Sequence, residues 1–220
     1  MSGWPVIVVG AGGHGCVVAD ALLATGVQVL GFIDEDEARH GSHCIGLPVL
    51  GGDRTLERHV PEALRLANGI GGVGGVRAAG EPGRRESVQR RLETRGWIFL
   101  GVRHPSAIVA PSAAVDESAQ LLAGSVVQPG ARVGRGAIIN TRSVVEHDSV
   151  VGAFAHVAPG AVPCGGVVLG DGVHVGAGAV VRQGLRIAAS TVIGVGAAVV
   201  RDCSGGTWVG VPARRRGSLA

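Results

Sequence analysis

Residues 133–157 read VGRGAIINTRSVVEHDSVVGAFAHV, and an aliphatic residue returns at every sixth position of this stretch. The same period runs from Val109 to Val199 with one exception, Pro163. Six residues match neither the 3.6-residue turn of an α-helix nor the two-residue repeat of a strand. They match a hexapeptide β-helix, in which each hexad forms one flat side of a three-sided coil.

The aliphatic positions predict a column of apolar side chains along the axis of the coil. Glycine often follows three residues later, as at Gly130 and Gly136, where a corner needs an unhindered backbone. Sixteen hexads in register predict about five coils and argue against the alternative, an ordinary β-sandwich. The predicted inward residues are Val109, Val115, Leu121, Val127, Val133, Ile139, Val145, Val151, Val157, Pro163, Leu169, Val175, Val181, Ile187, Ile193 and Val199.

The N-terminal sequence predicts an α/β nucleotide-binding unit. Residues 6–9 form a short apolar run typical of a buried parallel strand, and GAGGHG at 10–15 precedes a helical segment at 16–24. Such a glycine-rich turn lets backbone N–H groups approach a phosphate at the helix N-terminus. A second strand at 27–33 ends in acids at 34–36, where a Rossmann unit holds a ribose hydroxyl.

The following residues predict further short elements: strands at 45–50, 68–72 and 97–100, and helices at 55–66 and 86–95. About one hundred residues make only half of a full dinucleotide fold, which favours a nucleotide sugar over NAD as the ligand. We therefore expect a Rossmann-like α/β domain over residues 1–103 and an all-β parallel β-helix over 104–220.

Composition sets limits on compartment and partners. A formal charge of +3, with scattered arginines, does not indicate nucleic-acid binding, and the pairs at 84–85 and 90–91 are predicted to be solvated surface. The cysteines lack metal-ligand spacing and are predicted to be free thiols in a reducing cytoplasm. The apolar run at 6–9 ends in a glycine-rich loop, so neither a signal peptide nor membrane insertion is expected. The four cysteines are Cys16, Cys44, Cys164 and Cys203.

Bulky titratable residues interrupt the otherwise small turns of the repeat. His147 and His156 lie nine residues apart, and Asp148 follows the first of them. Histidine has an ordinary pKa close to neutrality, which suits a general base, and an adjacent acid fixes its tautomer. The alternative is that both histidines are ordinary surface residues of the solenoid.

These motifs resemble the NeuD/PglD-type sugar acyltransferases of the left-handed β-helix superfamily. The resemblance covers nearly the whole chain in the order of the family's domains. It rests on Asn140-Thr141, Glu146-His147-Asp148, HVAPG at 156–160, WVGVPA at 208–213, GAGGHG at 10–15 and Phe32-Ile33-Asp34.

The resemblance implies a homotrimeric enzyme that transfers an acetyl group from acetyl-CoA to the amino group of a nucleotide-linked sugar in bacterial surface-glycan biosynthesis. It implies His147 as the catalytic base, Asp148 as its orienting acid, Asn140 near the reacting centre and no metal. His156, Gly165, Ala177 and Val195 are implied contacts of acetyl-CoA. The implied contacts of the nucleotide sugar are Gly12, Gly13, His14, Asp34, Glu35 and Gly71.

Several alternatives remain open at this point. The acceptor could be sialic acid or a related sugar, acetylated on oxygen, or the chain could be a non-catalytic nucleotide-sugar-binding trimer. Cys164 breaks the hexad pattern and could carry an acyl group, but a small buried thiol is favoured because no base is adjacent in sequence. The arginines at 214–216 fit either an anchor for CoA phosphates or a solvated tail.

Overall fold

The computed structural model describes residues 3–72 and 83–217. It divides into two compact units, of which the first ends at Pro105 and the second contains the chain from Ser106 onward. The elements of the first unit are β1 (Val6–Val9), α1 (Gly13–Ala24), β2 (Val29–Ile33), a 3₁₀ helix (Glu37–Arg39), β3 (His43–Cys44), β4 (Leu47–Pro48), a second 3₁₀ helix (Asp53–Arg58), β5 (Arg65–Asn68), α2 (Arg84–Glu93) and β6 (Val102–Arg103).

A parallel sheet with the order β2-β1-β5 forms the centre of the first unit. All four residues of β1 are buried, as expected for a strand covered on both faces. Phe99 adds a bridge to Leu66 at the β5 side of the sheet. The predicted β1, α1 and β2 are therefore confirmed, as is the later helix, which spans Arg84–Glu93.

The predicted helix at 55–66 is wrong. Only a 3₁₀ helix, Asp53–Arg58, forms there, and β5 begins at Arg65, three residues before the strand predicted at 68–72. Pro61 explains the difference, because proline lacks an N–H donor and disfavours the helical conformation in the residue before it. The region predicted as one strand at 45–50 contributes the two-residue strand β4, paired with β3 in a hairpin.

Two of the four cysteines are not free thiols. Cys16 in α1 and Cys44 in β3 form a disulfide, with Cα atoms 6.4 Å apart. The prediction of four free thiols is therefore wrong for this pair, whose members lie 28 residues apart in the sequence. Cys164 and Cys203 remain free.

The second unit is a parallel β-solenoid of short strands. They are β7 (Ile108–Val109), β8 (Ala114–Val115), β9 (Gln120–Leu121), β10 (Val126–Val127), β11 (Arg132–Val133), β12 (Ile138–Ile139), β13 (Val144–Val145), β14 (Val150–Val151), β15 (His156–Val157), β16 (Val162–Pro163), β17 (Val168–Leu169), β18 (His174–Val175), β19 (Val180–Val181), β20 (Arg186–Ile187), β21 (Val192–Ile193), β22 (Ala198–Val199), β23 (Thr207–Val209) and β24 (Arg214–Arg215).

Every third strand belongs to the same face of the solenoid. The first face contains β7, β10, β13, β16, β19 and β22; the second contains β8, β11, β14, β17 and β20; the third contains β9, β12, β15, β18, β21 and β23. We call the turns from the first to the second face the first edge, those from the second to the third face the second edge, and those from the third back to the first face the third edge. Six strands on the first face make about six coils, one more than predicted.

The predicted inward column is confirmed. Strands pair in register with the strand 18 residues later, so that Val127 lies opposite Val145 on one face and Ile139 opposite Val157 on another. Ile139, Val145 and Val157 have no exposed surface, and even Pro163 is buried at its inward position. The column therefore forms a continuous apolar core that holds the turns rigidly.

Three successive corners depart from the glycine rule. Arg142, Asp148 and Phe154 adopt positive φ angles of 56°, 58° and 54° at positions where neighbouring coils mostly place glycine. A side chain in this left-handed region costs free energy, so such residues are retained where the surroundings or the function require them. One of the three, Asp148, belongs to the implied catalytic pair.

Candidate functional site

His147 and Asp148 occupy one turn of the first edge, between β13 and β14. His147 Nδ1 lies 2.9 Å from Asp148 Oδ2. Since a carboxylate only accepts, Nδ1 carries the proton that donates this bond, and Nε2 of the neutral imidazole keeps its lone pair. Both side chains are well exposed, at 63% and 74%. The contact with Asp148 therefore fixes the orientation of the imidazole ring and leaves Nε2 able to accept a proton.

Gly165 lies beneath the imidazole, on the next coil of the same edge. A Cβ atom at Gly165 would come within 2.5 Å of His147 Nε2. The backbone at Gly165 has no positive φ that would require glycine. Its equivalents at every sixth residue from Pro111 to Arg201 all carry side chains. Glycine at this position therefore makes room for the histidine.

Asn140 and His156 form a second pair. Asn140 Oδ1 accepts a hydrogen bond from the N–H of Thr141 at 2.7 Å, which identifies Nδ2 as the atom 3.0 Å from His156 Nε2. The amide N–H therefore donates to Nε2 of His156, whose ring is neutral in this arrangement. The edge of the His156 ring also packs against His174, with ring centroids 5.0 Å apart.

The two pairs lie on different edges of the same solenoid. Asn140 occupies the third edge, directly after β12, whereas His147 follows β13 on the first edge. The implied CoA contacts divide in the same way: Gly165 accompanies His147, while Ala177 and Val195 follow β18 and β21 on the third edge. Val195 is 79% exposed. The predicted catalytic and CoA-binding residues therefore fall into two clusters, which the first face separates.

The glycine-rich loop meets the N-terminus of α1. Gly12 caps this helix without a side-chain hydrogen bond, and the first turn has no acidic residue, so the N–H groups there can bind an anion. Asp34 braces the loop: Oδ2 accepts from the N–H of Ala11 at 2.7 Å, and Oδ1 accepts from the N–H of Asp36 at 2.9 Å. Asp34 thus fixes the loop through backbone contacts.

The other implied nucleotide contacts surround this loop. Gly71 packs against His14, because a Cβ atom at Gly71 would lie 2.7 Å from the Cβ atom of His14. Gly13 begins α1, and Glu35 follows Asp34 at the end of β2. The structure thus brings all six implied residues to one end of the parallel sheet.

A cavity opens at this end of the sheet, and sequence reasoning missed three of the residues around it. Asp53, Arg84 and Arg91 line the cavity, where Arg84 pairs with Glu35 and Arg91 pairs with Asp53. Both arginines are exposed, as predicted. Their seven-residue spacing places them on one face of α2, and this spacing could have indicated that they line the same site. The full lining is Val9, Gly10, Ile33, Asp34, Glu35, Asp53, Ile70, Arg84, Val88 and Arg91.

Cys164 shares the first edge with His147 but is poorly suited to carry an acyl group. Burial raises the pKa of its thiol, and the nearby Glu146 carboxylate raises that pKa further. The thiolate is the nucleophilic form of cysteine, and both causes disfavour it. The side chain is therefore a thiol at neutral pH.

The arginines at 214–216 lie in an ordered part of the chain. Arg214 and Arg215 form β24, which pairs antiparallel with β23. Their side chains remain exposed. Contact with CoA phosphates stays a prediction for them.

Two kinds of site are absent from residues 3–72 and 83–217. No group of three or more histidine, cysteine, aspartate or glutamate residues is arranged to hold a metal ion there. Of the helices in the same ranges, none combines the length and apolar character needed to cross a bilayer.

Comparison with known proteins places the chain among sugar N-acetyltransferases. A family model of the PglD N-terminal domain matches residues 5–91. A histidine-to-asparagine variant of perosamine N-acetyltransferase from Caulobacter crescentus, in complex with CoA and GDP-perosamine, is 34% identical, with 97% of each chain covered and a TM-score of 0.87. No curated protein sequence matches.

Further solved structures have the same two-unit extent. The acetyltransferase domain of PglB from Neisseria gonorrhoeae, in complex with acetyl coenzyme A, is 31% identical over 96% of this chain and 98% of that chain, with a TM-score of 0.85. WeeI from Acinetobacter baumannii is 26% identical over 95% and 98%, with a TM-score of 0.83. The chain therefore belongs to the NeuD/PglD family of sugar N-acetyltransferases, which are built on a left-handed β-helix.

Proposed function

We propose that this protein transfers an acetyl group from acetyl-CoA to the amino group of a nucleotide-linked amino-deoxy sugar. The observation that carries the proposal is the similarity, over 97% of both chains, to an N-acetyltransferase in complex with CoA and GDP-perosamine. The product would serve bacterial surface-glycan biosynthesis in the cytoplasm, where acetyl-CoA is available.

His147 acts as the general base in this proposal. Its Nε2 accepts a proton from the sugar amine as the nitrogen attacks the thioester carbonyl, and Asp148 stabilises the resulting imidazolium. The tetrahedral intermediate then breaks its carbon–sulfur bond and releases CoA as a thiolate. Because the sugar amine attacks the thioester directly, no acyl-enzyme forms. The hydrogen bond between His147 Nδ1 and Asp148 Oδ2 supports these roles because it leaves Nε2 to react.

The two units divide the binding work. The N-terminal domain, residues 1–103 in our assignment, binds the nucleotide through Gly12, Gly13, His14, Asp34, Glu35 and Gly71. The β-helix, residues 104–220, binds acetyl-CoA through His156, Gly165, Ala177 and Val195. The open N-terminus of α1 supports a phosphate contact at the first of these sites.

A homotrimer would complete the catalytic site. His147 and Asp148 lie on the first edge, whereas Asn140 and His156 meet at the third edge. Three copies that pack their first faces around a threefold axis bring the first edge of one copy beside the third edge of the next. Each site then combines two half-sites from neighbouring copies.

The first face has the composition that such packing needs. Its outward residues are all aliphatic, and Ile108 and Val180 are 65% and 43% exposed. The second face, by contrast, presents Arg132 and Arg186. A contiguous apolar patch on one face of a solenoid is typical of a protein interface. The outward residues of the first face are Ile108, Val126, Val144, Val162, Val180 and Ala198.

An acceptor screen tests the proposed reaction. The protein would be incubated with acetyl-CoA and 4-amino-4,6-dideoxy sugars linked to UDP, GDP or dTDP, or with free sialic acid, and thiol release would be followed. We expect release only with a nucleotide-linked amine and a mass increase of one acetyl group on that sugar. Activity on sialic acid alone would favour O-acetylation, and the absence of both turnover and acetyl-CoA binding would favour a non-catalytic trimer.

A further inference from the structure

Both apolar and charged side chains line the cavity in the N-terminal unit. Val9, Ile33, Ile70 and Val88 supply apolar surface, and charged side chains supply the remaining lining together with the Gly10 backbone. A cavity that combines apolar surface with a few polar groups suits a heterocycle whose polar edge must be recognised, and we call this cavity the slot. A diphosphate would instead be held by N–H groups at the start of α1.

Asp53 and Arg91 form an ion pair in the lining of this cavity, and we call this pair the rim. The ion contacts of the Asp53 carboxylate with Arg91 and Arg95 use Oδ2. A carboxylate offers about four lone-pair positions, so these contacts do not exhaust its capacity to accept hydrogen bonds. The Asp53 side chain is 29% exposed, which places it within reach of a ligand while partly shielding it from water. The rim thus presents an acceptor beside a donor.

We propose that this slot selects a guanine nucleotide, with Asp53 and Arg91 as the residues that read the base. Guanine carries two adjacent donors, N1–H and the 2-amino group, next to the acceptor O6. Asp53 accepts from the two donors, and Arg91 donates to O6, a contact that guanidinium groups make readily. The inference rests on the proposed function, because that function requires a nucleotide-linked substrate.

Uracil and thymine do not match this rim. Each presents a single N3–H between two carbonyl oxygens, so a base in the same place would turn a carbonyl oxygen toward the Asp53 carboxylate. Hydrogen-bonding sites reject ligands that leave their polar groups unpaired. The slot therefore distinguishes guanine from uracil and thymine by the pattern of hydrogen-bond donors and acceptors more than by the size of the base.

Equilibrium binding to the whole protein tests the assignment without any chemical step. Calorimetric titrations would use GDP, UDP and inosine diphosphate, which is GDP without its 2-amino group. We expect GDP to bind about 10-fold more tightly than either of the others, since one good base contact is worth roughly that factor. Asp53→Asn should weaken GDP binding about 10-fold and bring GDP and inosine diphosphate to similar affinities.

The same helix offers a matched control. Arg90 pairs with Glu86 one turn away, and neither residue lines the cavity. Glu86→Gln and Arg90→Gln should leave all three affinities unchanged, whereas Arg91→Gln should weaken GDP binding. The thermal midpoint of each variant would show that the fold is retained.

The outcomes separate the base assignment from the proposed reaction. Equal affinities for GDP and UDP, or an Asp53→Asn variant that still distinguishes GDP from inosine diphosphate, would overturn the guanine assignment. Continued acetyl transfer to another nucleotide-linked amine would then leave the proposed function standing. If none of the three diphosphates bound, the guanine assignment would fail, and the acceptor screen, which also contains a dTDP-linked amine, would decide the proposed function separately.

Discussion

The imidazole of His147 packs over Gly165 so closely that a Cβ atom at residue 165 would lie 2.5 Å from Nε2 of the histidine. The equivalent turn positions recur at every sixth residue from Pro111 to Arg201. All of them except Gly165 carry a side chain. The two residues are 18 positions apart, which is one full coil. A residue without a chemical group of its own thus sets the position of the base.

Replacement of Gly165 by alanine should therefore impair catalysis through His147. We expect Gly165→Ala to lower kcat while leaving the thermal midpoint nearly unchanged, because the local backbone has no positive φ. Steady-state kinetics and thermal unfolding would measure the two effects. In a His147→Ala background the same substitution should have no further effect on kcat, since coupled residues are not additive. Additive losses would contradict the mechanism.

Replacement of His147 should lower turnover more than replacement of Gly165. His147→Ala should reduce turnover by about 10² to 10⁴, the usual contribution of a positioned base, with acetyl-CoA binding retained. Asp148→Asn should cause a smaller loss, because asparagine tolerates the left-handed backbone at φ 58° but removes the charge that stabilises the imidazolium. Thiol release and calorimetry would measure these effects. Near-wild-type turnover of His147→Ala would remove it from the mechanism.

Mixed trimers should regain activity if each site spans two copies. His147→Ala removes one half-site and His156→Ala the other, so each variant alone should be nearly inactive. When the two are unfolded together and refolded in equal amounts, about one quarter of the junctions combine intact half-sites by chance. We expect about that fraction of wild-type activity. Mixtures that stay inactive, despite exchange of subunits, would place each site within one copy.

The stability of the protein at alkaline pH should depend on Cys203. Burial, followed by the nearby Asp202, raises the pKa of this thiol from 9.0 to about 11. The folded state thus keeps the proton more tightly, so this contribution is complete below pH 9 and is lost as the pH rises to about 11. The loss is about 3 kcal/mol, since one pKa unit corresponds to about 1.36 kcal/mol.

The composition makes that measurement unusually direct. The sequence contains no tyrosine and no lysine, so few other side chains titrate between pH 9 and 11. Urea unfolding of the wild type at a series of pH values should show the loss, and Cys203→Ala should show a flatter dependence from a lower starting stability. An identical pH dependence in the two proteins would contradict the assignment to Cys203.

The disulfide should stabilise the first unit. A cross-link that closes 28 residues is expected to raise the free energy of unfolding by about 3.6 kcal/mol through its effect on the unfolded chain. Cys44→Ser, or treatment of the wild type with dithiothreitol, should lower the unfolding midpoint of this unit. Cys164→Ser serves as the control, because that thiol is unpaired. Mass spectrometry of alkylated protein would count the protected cysteines.

The sequence by itself determined the β-helix. A six-residue period is a local pattern that repeats without long-range information, so the inward column from Val109 to Val199 follows from it directly. The family resemblance pointed to His147 and Asp148 as a functional pair, and the structure joins their side chains by a hydrogen bond. By contrast, the helix predicted at 55–66 failed, because Pro61 outweighed the surrounding helix-forming residues.

Tertiary structure alone decided which residues meet across turns. The packing of the His147 ring over Gly165 depends on the rotamer of the histidine side chain, and the six-residue period does not specify that rotamer. The pairing of Asp53 with Arg91 joins residues 38 positions apart, and the Cys16–Cys44 bond joins residues separated by 28. These contacts follow from how strands, helices and turns pack in three dimensions, and packing is not encoded in any local segment of the sequence.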